Sequence, residues 1–432
     1  GTNRIHGSAY EFYRNGAFDA RNPFDIFTNS SGQPATPPLH RHQFGASLGG
    51  PIRKDKTFYF LNYEALRQDD ALTFQANVPD AAARGIGSLT GFAQVPCTGT
   101  GTTASGGCST TLASGTLVSV PMSPDVQSIF FGGKNPLYPV CNGGSVGGGL
   151  CLFSSNPIEN VSENYGLVKI DHTLSPKNTI SSSYNMDRGW VNTPGPLGNT
   201  INDRVNYRQT FTLQDTHIFS SSVVNTARFG LTRIWLNDQK AMLGSDGLPG
   251  ADRFDPRILP VRISVPCATI CGDSSTAFPS GAATPLPTIS VSGGMTTFGG
   301  SARAANFDPR WFGYMPIQIG DDVNYLRGKH AFQFGVQFKR TYDNLAQYRG
   351  NPVGTWSFSN LPSFLKGGPA NTFGVDIVSK GSYGRSWATN LYAFYGDDTY
   401  KLKPNLTLTL GLRWEYVPGP SERNGKMASI YN

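Results

Sequence analysis

Apolar and polar residues alternate with a period of two along much of this chain. In "LTLTLGLRWEYVP" (406–418), every second residue from Leu406 to Tyr416 is apolar, and the residues between them are small, polar or charged. Such alternation is typical of a β-strand with one apolar face, and helical periodicity is nearly absent. Eleven segments are therefore predicted to be strands, most of them as long as a strand that crosses a bilayer, roughly 9–11 residues. The other ten are "HGSAYEFYR", "HQFGASLGGPI", "TFYFLNYEALR", "NYGLVKIDHTL", "NTISSSYNMDR", "RQTFTLQDTHIF", "VVNTARFGLTRIW", "IQIGDDVNYL", "AFQFGVQFKR" and "NLYAFYGDDTYKL".

The connections between these strands alternate between short and long without exception. Short polar turns lie at 53–56, 175–178, 220–222, 327–329 and 401–405, and long connections occupy 15–41, 68–162, 189–203, 237–314 and 343–389. The strand-like piece "GTWSFSN" (354–360) breaks this order, so we place it inside a long loop. Antiparallel strands with short turns at one end and long loops at the other are typical of outer-membrane β-barrels. The sequence thus predicts an all-β, antiparallel, up-and-down transmembrane barrel in the outer membrane, with its long loops extracellular.

The number of strands predicts that the barrel is larger than this chain. A barrel in lipid must be closed, because lipid offers no partner to an unpaired strand edge. Bacterial single-chain barrels have even strand counts, whereas eleven strands end on the side of the long loops. We therefore expect residues 1–432 to form part of a longer barrel.

The polar rows that alternate with the apolar rows provide candidate lumen-facing residues, which would line a passage or hold a domain inside the barrel. They are Glu64, Lys169, Asp171, Gln333, Gln337, Lys339, Arg413 and Glu415.

Aromatic residues fall into two groups with different expected roles. Most of those in the strands are expected to form aromatic girdles at the membrane interfaces. This first group comprises Tyr10, Phe12, Tyr59, Tyr63, Trp235, Trp414 and Tyr416. Those in the long loops are better candidates for ligand contact, and they are Phe130, Phe131, Tyr138 and Trp356.

The six cysteines fall into three close pairs, all in the long connections. The pairs are Cys97/Cys108, Cys141/Cys151 and Cys267/Cys271. An even count in loops favours disulfides in an oxidising compartment. Zinc is the rival interpretation, but no CxxC occurs and no histidine lies close in sequence to these cysteines. The last pair is the least certain, because its close spacing can strain the bridge.

Composition and charge narrow the function. The net charge is +7, yet the 36 Lys and Arg residues are scattered without a basic helix or Arg run, which argues against a nucleic-acid partner. No catalytic constellation, cofactor motif or metal-ligand spacing is found. The pair His40 and His42 has no acidic or Cys neighbour in sequence, and the Asp-containing loop 246–255 lacks the spacing of an EF-hand, so solvated loops are the preferred interpretation.

Several segments together resemble one family, the Oar-like TonB-dependent receptors, in the order that is usual for that family. They are "GTNRIHGSAYEFYRN", "DARNPFD", "QFGASLGGPIRKDKTFYFLNYEALR", "VPDAAAR", "LRGKHAFQFG" and "NLTLTLGLRWEY". The resemblance implies that the chain follows a plug domain, and that a signal peptide, that plug and the C-terminal strands lie outside it. Transporters of this kind have 22 strands and a plugged lumen, so eleven would be half.

The resemblance also implies a function and partners. The protein would move a nutrient, such as a glycan or oligopeptide, across the outer membrane, and it would not be an enzyme. Its partners would be outer-membrane lipid, the TonB energy-transducing complex acting through the plug, and a surface lipoprotein. Two alternatives remain open on the residues: a surface adhesion protein with a soluble all-β fold, and a secreted hydrolase that uses Glu64 and Asp171 as an acid pair.

Overall fold

The computed structural model describes residues 2–22, 25, 31–87, 90–132, 136–198, 200–242, 288–298, 310–347, 355–367, 372–374 and 384–426. Within them the chain is mostly strand. In chain order the strands are β1 (His6–Asn15), β2 (Leu39–Arg53), β3 (Thr57–Ala71), β4 (Phe74–Pro79), β5 (Phe92–Pro96), β6 (Leu117–Pro121), β7 (Ser145–Gly147), β8 (Leu150–Ser155), β9 (Ile158–Ser175), β10 (Asn178–Pro194), β11 (Thr200–Ser220), β12 (Val223–Met242), β13 (Thr288–Val291), β14 (Arg310–Arg327), β15 (His330–Gln347), β16 (Thr355–Phe358), β17 (Thr372–Gly374), β18 (Gly384–Lys403), β19 (Leu406–Tyr416) and β20 (Ser421–Glu422).

Helical segments in the described residues are single turns. They are the 3₁₀ turns Gly16–Phe18 and Thr103–Ser105, the α-helical turn Pro124–Val126, the π-helical turn Gln127–Phe131 and the α-helix Leu361–Leu365. No helix among the described residues has the length and apolar composition needed to cross a membrane.

Eleven long strands form one antiparallel sheet, as the alternation predicts. Its order is β1-β2-β3-β9-β10-β11-β12-β14-β15-β18-β19, so each long strand pairs with the long strand that follows it along the chain. The short strand β20 pairs with β18 beyond the end of β19. The sheet is open, with β1 and β19 at its two edges. The strand-like piece around Trp356 is β16, which lies in a separate small sheet inside a long loop.

The strands are longer than the sequence predicts, and one loop is consequently much shorter. β10 has 17 residues and β11 has 21, so the connection expected at 189–203 covers only 195–199. The pairing continues past the apolar segment because polar residues on both faces, as in Asn192 opposite Asp203, do not interrupt backbone hydrogen bonding. The expectation of a long loop here was wrong.

One face of the sheet is apolar and exposed. Leu61 pairs with Leu48 on one side and with Val168 on the other. Near the opposite edge, Trp414 pairs with Phe394. All five side chains are exposed, together with most of the apolar row of β19. A continuous apolar surface of this kind marks contact with a partner or a membrane.

The buried apolar core of the chain lies in its long loops rather than under the large sheet. Residues 72–87, 90–132, 136–157, 195–198, 288–298, 355–367 and 372–374 pack together into one unit, which we call the cap. It contains three small sheets, β4-β8-β7, β5-β6 and β13-β16-β17. The largest fully buried side chains are Trp356, Tyr138, Phe130, Phe298 and Phe364. Burying each large apolar side chain stabilises the cap by about 1.5–3 kcal/mol.

Two disulfides lie in the cap, as the loop cysteines predict. Cys97 is bonded to Cys108, and Cys141 is bonded to Cys151, with Cα–Cα distances of 4.9 and 5.9 Å. Each bridge closes a short segment, of sequence separation 11 and 10. The third expected pair, Cys267 and Cys271, lies outside the described residues.

Candidate functional site: a polar wall and a folded cap

The eight candidate lumen residues lie on the same face of the sheet, opposite the apolar face. Side chains alternate between the two faces along a strand, and directly paired residues on neighbouring strands point to the same face. The pairing therefore shows which residues share a face across the whole sheet. Starting at Lys169, the pairs run through Ser183, Thr212, Gly230 and Gln318 to Lys339. Glu64 shares this face with Lys169 through β3 and β9, and Arg413 and Glu415 share it with Gln337 through β18. We call this face the polar wall.

Some candidates pair with one another inside the wall. Lys169 Nζ lies 3.3 Å from Asp171 Oδ2, and Ser181 Oγ donates to the other oxygen of Asp171 at 2.6 Å. Asn62 Nδ2 donates to Glu64 Oε1 at 3.0 Å. Thus Asp171 is held by a cation and a hydroxyl, whereas Glu64 and Asp171 lie on different strands without a shared contact among the described atoms.

A larger network crosses β12, β14, β15, β18 and β19. Asp322 on β14 is ion-paired with Arg228 on β12, and its other carboxylate oxygen accepts the hydroxyl hydrogen of Tyr395 on β18. The guanidinium of Arg413 lies 5.4 Å from the centre of the Tyr395 ring. Arg413 also donates to Gln337 Oε1 at 3.1 Å and to Glu415 Oε1 at 2.7 Å. The network connects three predicted wall residues with three that were not predicted.

Those three are Arg228, Asp322 and Tyr395. Asp322 has a side chain that is only 7% exposed, so its charge requires the partners that surround it. The local pattern "IQIGDDVNYL" has two adjacent aspartates, which face opposite sides of a strand. Period-two alternation alone would therefore have placed one of them on the wall.

A tyrosine reaches its carboxylate by lying across a glycine on the strand between them. Tyr395 pairs with Gly335, and Gly335 pairs with Asp322. A side chain at Gly335 would overlap the Tyr395 ring. Glycine is therefore required at this position to let the ring lie flat against the backbone.

The same arrangement recurs near the other edge of the sheet. Tyr10 pairs with Gly45, and Gly45 pairs with Glu64, whose side chain is hydrogen-bonded to Tyr10. A Cβ atom at Gly45 would lie 2.8 Å from the Tyr10 ring. Tyr10 and Phe12 thus belong to the polar wall, and their expected place in an aromatic girdle was wrong. The alternation of β1 shows that Tyr10 and Phe12 lie on the same face of the strand. Only the pairing with β2 shows which face of the sheet that is.

Other strand aromatics do lie on the apolar face. Tyr63 is on the same face as Leu61, and Trp414 and Tyr416 stack with a ring distance of 6.1 Å at the end of β19 near the long loops. Trp414 also lies 5.8 Å from Phe394 on the neighbouring strand. These contacts form an aromatic cluster at one end of the apolar face.

Three of the four loop aromatics expected to contact a ligand are buried in the cap. Phe130, Tyr138 and Trp356 are at most 1% exposed. Phe130 and Tyr138 both pack against Phe364, with ring distances of 5.2 and 6.2 Å. Their apolar rings exclude water from the interior of the cap, so the structure assigns them a packing role in place of ligand contact.

The fourth, Phe131, is half-buried beneath Arg84. The guanidinium of Arg84 lies 4.9 Å from the ring centre, and it donates to the carbonyl oxygens of Tyr138 and Pro139 at 2.8 and 3.0 Å. Burial lowers the pKa of Arg84 and raises the pKa of the Tyr138 phenol. Arg84 is thus a buried cation held by two carbonyls and an aromatic face, inside the cap.

Hydrogen bonds between different loops join the cap into one unit. Asn77 N–H donates to Thr296 Oγ1 at 2.8 Å, and Thr296 N–H donates back to the Asn77 carbonyl at 2.9 Å. Ser123 N–H donates to the Leu365 carbonyl at 2.8 Å. Residues more than 200 positions apart in sequence are therefore fixed against one another.

The histidines expected to lie in a solvated loop are found on β2. His42 Nδ1 lies 3.0 Å from Glu11 Oε1, and His40 Nδ1 lies 3.4 Å from the Tyr13 hydroxyl. Within the described ranges, no three His, Cys, Asp or Glu residues are grouped so that they could hold a metal ion. The aspartates of the 246–255 loop lie outside those ranges.

An open antiparallel sheet with an apolar exposed face, a polar wall and an ordered cap at one end defines a membrane β-barrel wall. The chain belongs to the outer membrane β-barrel domain family, whose family model matches residues 1–432. It is therefore a component of the outer membrane. A comparison with curated proteins finds no match.

Among solved structures, the chain is similar to several outer-membrane proteins. The outer membrane transporter YddB from Escherichia coli is 9% identical with a TM-score of 0.47, over 98% of this chain and 41% of that one. A mutant of the ferric enterobactin receptor of Pseudomonas aeruginosa is 13% identical with a TM-score of 0.41, over the same shares. The siderophore receptor PiuA from Acinetobacter baumannii is 10% identical with a TM-score of 0.33, over 96% and 60%. The chain thus spans 41–60% of the length of these three structures.

Proposed function

We propose that this chain is part of the barrel of a TonB-dependent receptor of the Oar-like type, which moves a nutrient across the outer membrane. The observation that carries the proposal is the combination of a lipid-compatible apolar face, a polar wall opposite it, and a cap built from the long loops at one end. The motifs of the sequence supply the subtype. This arrangement suits a transporter, because ligand recognition and passage are separated along one axis.

The open edges support a larger barrel. β1 and β19 each present a row of backbone N–H and C=O groups, and lipid cannot satisfy such groups. Further strands that pair with these edges would remove the free-energy cost of leaving those backbone groups without hydrogen bonds in lipid. With eleven long strands present, a barrel of 22 strands, the size of plugged outer-membrane transporters, would be half built by this chain.

The polar wall is proposed to face the plug and the passage around it. Its ion pairs and tyrosine–carboxylate bonds present fixed charges along β3, β9, β14, β18 and β19. Charged groups that already have partners resist rearrangement, which suits a rigid surface against which a plug is held. Energy transfer from the TonB complex would then act on the plug rather than on the wall.

Ligand recognition is assigned to the exposed surface of the cap. The apolar side chains at this surface belong to Ile86, Phe92, Leu117, Val140 and Val146. They take the place of the buried aromatics as candidates for ligand contact. The nutrient is proposed to be a glycan, an oligopeptide or a similar molecule too large for simple diffusion.

An uptake experiment tests this function. Cells expressing the full-length receptor are given labelled oligopeptides and glycans, with and without an intact TonB complex. We expect import of one ligand class only when the complex is intact, with surface binding retained in its absence. Binding without TonB-dependent import of either class would contradict transport and would favour a surface adhesion protein.

A further inference from the structure

The short-turn end of the sheet carries a concentration of positive charge. We call the residues 2–5, 52–57, 174–178, 220–223, 326–329 and 401–406 the basic rim. Its cationic residues are Arg4, Arg53, Lys54, Lys56, Lys177, Arg327, Lys329, Lys401 and Lys403. Its acidic residues comprise Asp55 alone, so nine positive charges minus one leave +8. The whole chain has a net charge of +7, so the remaining residues together are close to neutral.

The acidic residue of the rim lies in a turn and forms hydrogen bonds there. Asp55 adopts a left-handed conformation with φ of 62° between β2 and β3. Its N–H donates to Asn3 Oδ1 at 2.9 Å, and its carboxylate accepts from the Asn3 side chain. The nine cationic side chains are all exposed, and among the described residues none forms an ion pair. Within the described part of the chain, no ion pair therefore offsets the positive charge of the rim.

Histidines lie between the rim and the apolar face. His172, His217 and His330 are on the apolar side of the sheet, next to three of the short turns. The Nδ1 atoms lie 2.8 Å from Thr57 Oγ1, 2.9 Å from Asn178 Nδ2 and 2.7 Å from Asp398 Oδ2, respectively. Because a neighbouring strand engages Nδ1 in each case, Nε2 is the ring nitrogen available to a group outside the sheet.

Aromatic rings accompany these histidines. His330 stacks between Phe332 and Tyr400, with ring distances of 5.3 and 4.3 Å, and His217 lies 4.4 Å from Phe219. Aromatic and imidazole rings therefore lie beside the cationic turns at the short-turn end of the apolar face. Aromatic rings and long cationic side chains are the groups that settle at the interface of a lipid leaflet.

The other end of the sheet lacks this bias. There, charges of both signs are paired, as in Arg14 with Asp19 at 2.9 Å. A general need for solubility would not distinguish the two ends. The asymmetry points to a partner of one sign at the short-turn end.

We propose that the basic rim binds the phosphate headgroups of anionic phospholipids in the periplasmic leaflet of the outer membrane. The inference rests on the proposed orientation, with short turns in the periplasm. Lys and Arg side chains near a membrane surface attract anionic lipid with an energy that corresponds to about a fivefold change for each charge. The imidazole Nε2 atoms would contact the same headgroups from the interface side. The rim would thereby set the depth of the barrel in the membrane.

Retained lipid provides the test. The full-length receptor is reconstituted in equal parts of phosphatidylglycerol and phosphatidylethanolamine, extracted in mild detergent, and examined by native mass spectrometry. We expect phosphatidylglycerol to be enriched, and the enrichment to fall about fivefold or more in the triple variant Lys54→Gln, Lys329→Gln and Lys401→Gln. Added salt should reduce the enrichment of the wild type, since the rim charges are exposed.

A matched control removes three cations elsewhere. The variant Arg188→Gln, Arg233→Gln and Lys366→Gln lowers the net charge by the same amount. Its three substitutions lie on β10, on β12 and in the cap, away from the short turns, so it should retain the wild-type enrichment. Heat-modifiable gel mobility shows that each variant is folded. The proposal is overturned by a wild-type lipid ratio equal to that of the bilayer, or by equal losses in both variants. It is also overturned if the rim binds a soluble polyanion while showing no preference for phosphatidylglycerol.

The orientation is tested separately. Ser221→Cys in a short turn and Ile86→Cys in the cap are exposed to a membrane-impermeant maleimide on intact cells. Labelling of the cap alone supports the proposed orientation, and a neutral lipid ratio would then reject only the rim. Labelling of the turn would reject the orientation itself, and with it the arrangement on which the proposed function depends.

Discussion

The hydroxyl of Tyr395 donates a hydrogen bond to the carboxylate of Asp322, although a whole strand lies between the two residues. The tyrosine ring spans this distance by lying over Gly335 on β15. Tyr10 reaches Glu64 over Gly45 in the same manner. In both cases three neighbouring strands are linked through side chains, in addition to their backbone ladders.

Replacing the covered glycine should separate the tyrosine from its carboxylate. Gly335→Ala places a methyl group where the Tyr395 ring lies, and we expect a loss of about 1–3 kcal/mol in the free energy of unfolding, as in overpacked sites. Gly320→Ala on the same face is the control, because the nearest atom to its Cβ would be 3.5 Å away. Unfolding midpoints in detergent measure both. Equal effects would show that the overlap with the ring does not determine stability.

The Arg228–Asp322 ion pair should be coupled more strongly than an exposed pair. Asp322 is 7% exposed, whereas Arg14 and Asp19 are 60% and 34% exposed. A double-mutant cycle with Arg228→Gln and Asp322→Asn should give a coupling energy of about 1–3 kcal/mol. The corresponding cycle at Arg14 and Asp19 should give roughly 0.2–1 kcal/mol. Similar values for the two cycles would mean that burial of Asp322 does not strengthen the pair.

A cavity in the cap should loosen several loops at once. Phe364 contacts Phe130, Tyr138 and Phe358, so Phe364→Ala should cost about 3–5 kcal/mol of cap stability. Limited proteolysis on intact cells should then cleave within both 72–157 and 355–367. Leu117→Ala, at a side chain 53% exposed, is the control and should leave the cleavage pattern unchanged. Cleavage confined to the loop that carries the mutation would contradict a shared core.

Disulfide reduction should weaken the cap and leave the large sheet intact. Loss of a bridge that closes about ten residues costs roughly 2–4 kcal/mol. Reductant, or the paired variant Cys97→Ser with Cys108→Ser, should therefore increase proteolysis of the cap. Heat-modifiable mobility reports on the barrel and should not change. If reduction altered that mobility, the cap and the sheet would have to unfold together.

Period-two alternation was sufficient to predict the eleven long strands, because a strand places successive side chains on opposite faces whatever lies far away in sequence. It also placed Glu64, Lys169, Gln337 and Arg413 on one face. Alternation was insufficient at strand ends, where the pairing of Asn192 with Asp203 extends the sheet through a segment that reads as a loop. The aromatics of the cap were misassigned for a related reason: Phe130 lies in a single helical turn and Tyr138 in a segment without regular structure, so neither segment is long enough for a period to show which side is buried.

By itself, therefore, the sequence determined the strand number, the two faces of the sheet, the difference between its ends and the cysteines that form the cap disulfides. Only the tertiary structure decided that Tyr395, Gly335 and Asp322 meet, that Tyr10 faces the wall, and that Trp356 and Tyr138 are interior. The physical reason is the range of the interactions. Alternation reflects the local geometry of one strand, whereas register and core packing depend on residues tens to hundreds of positions apart, which no local pattern records.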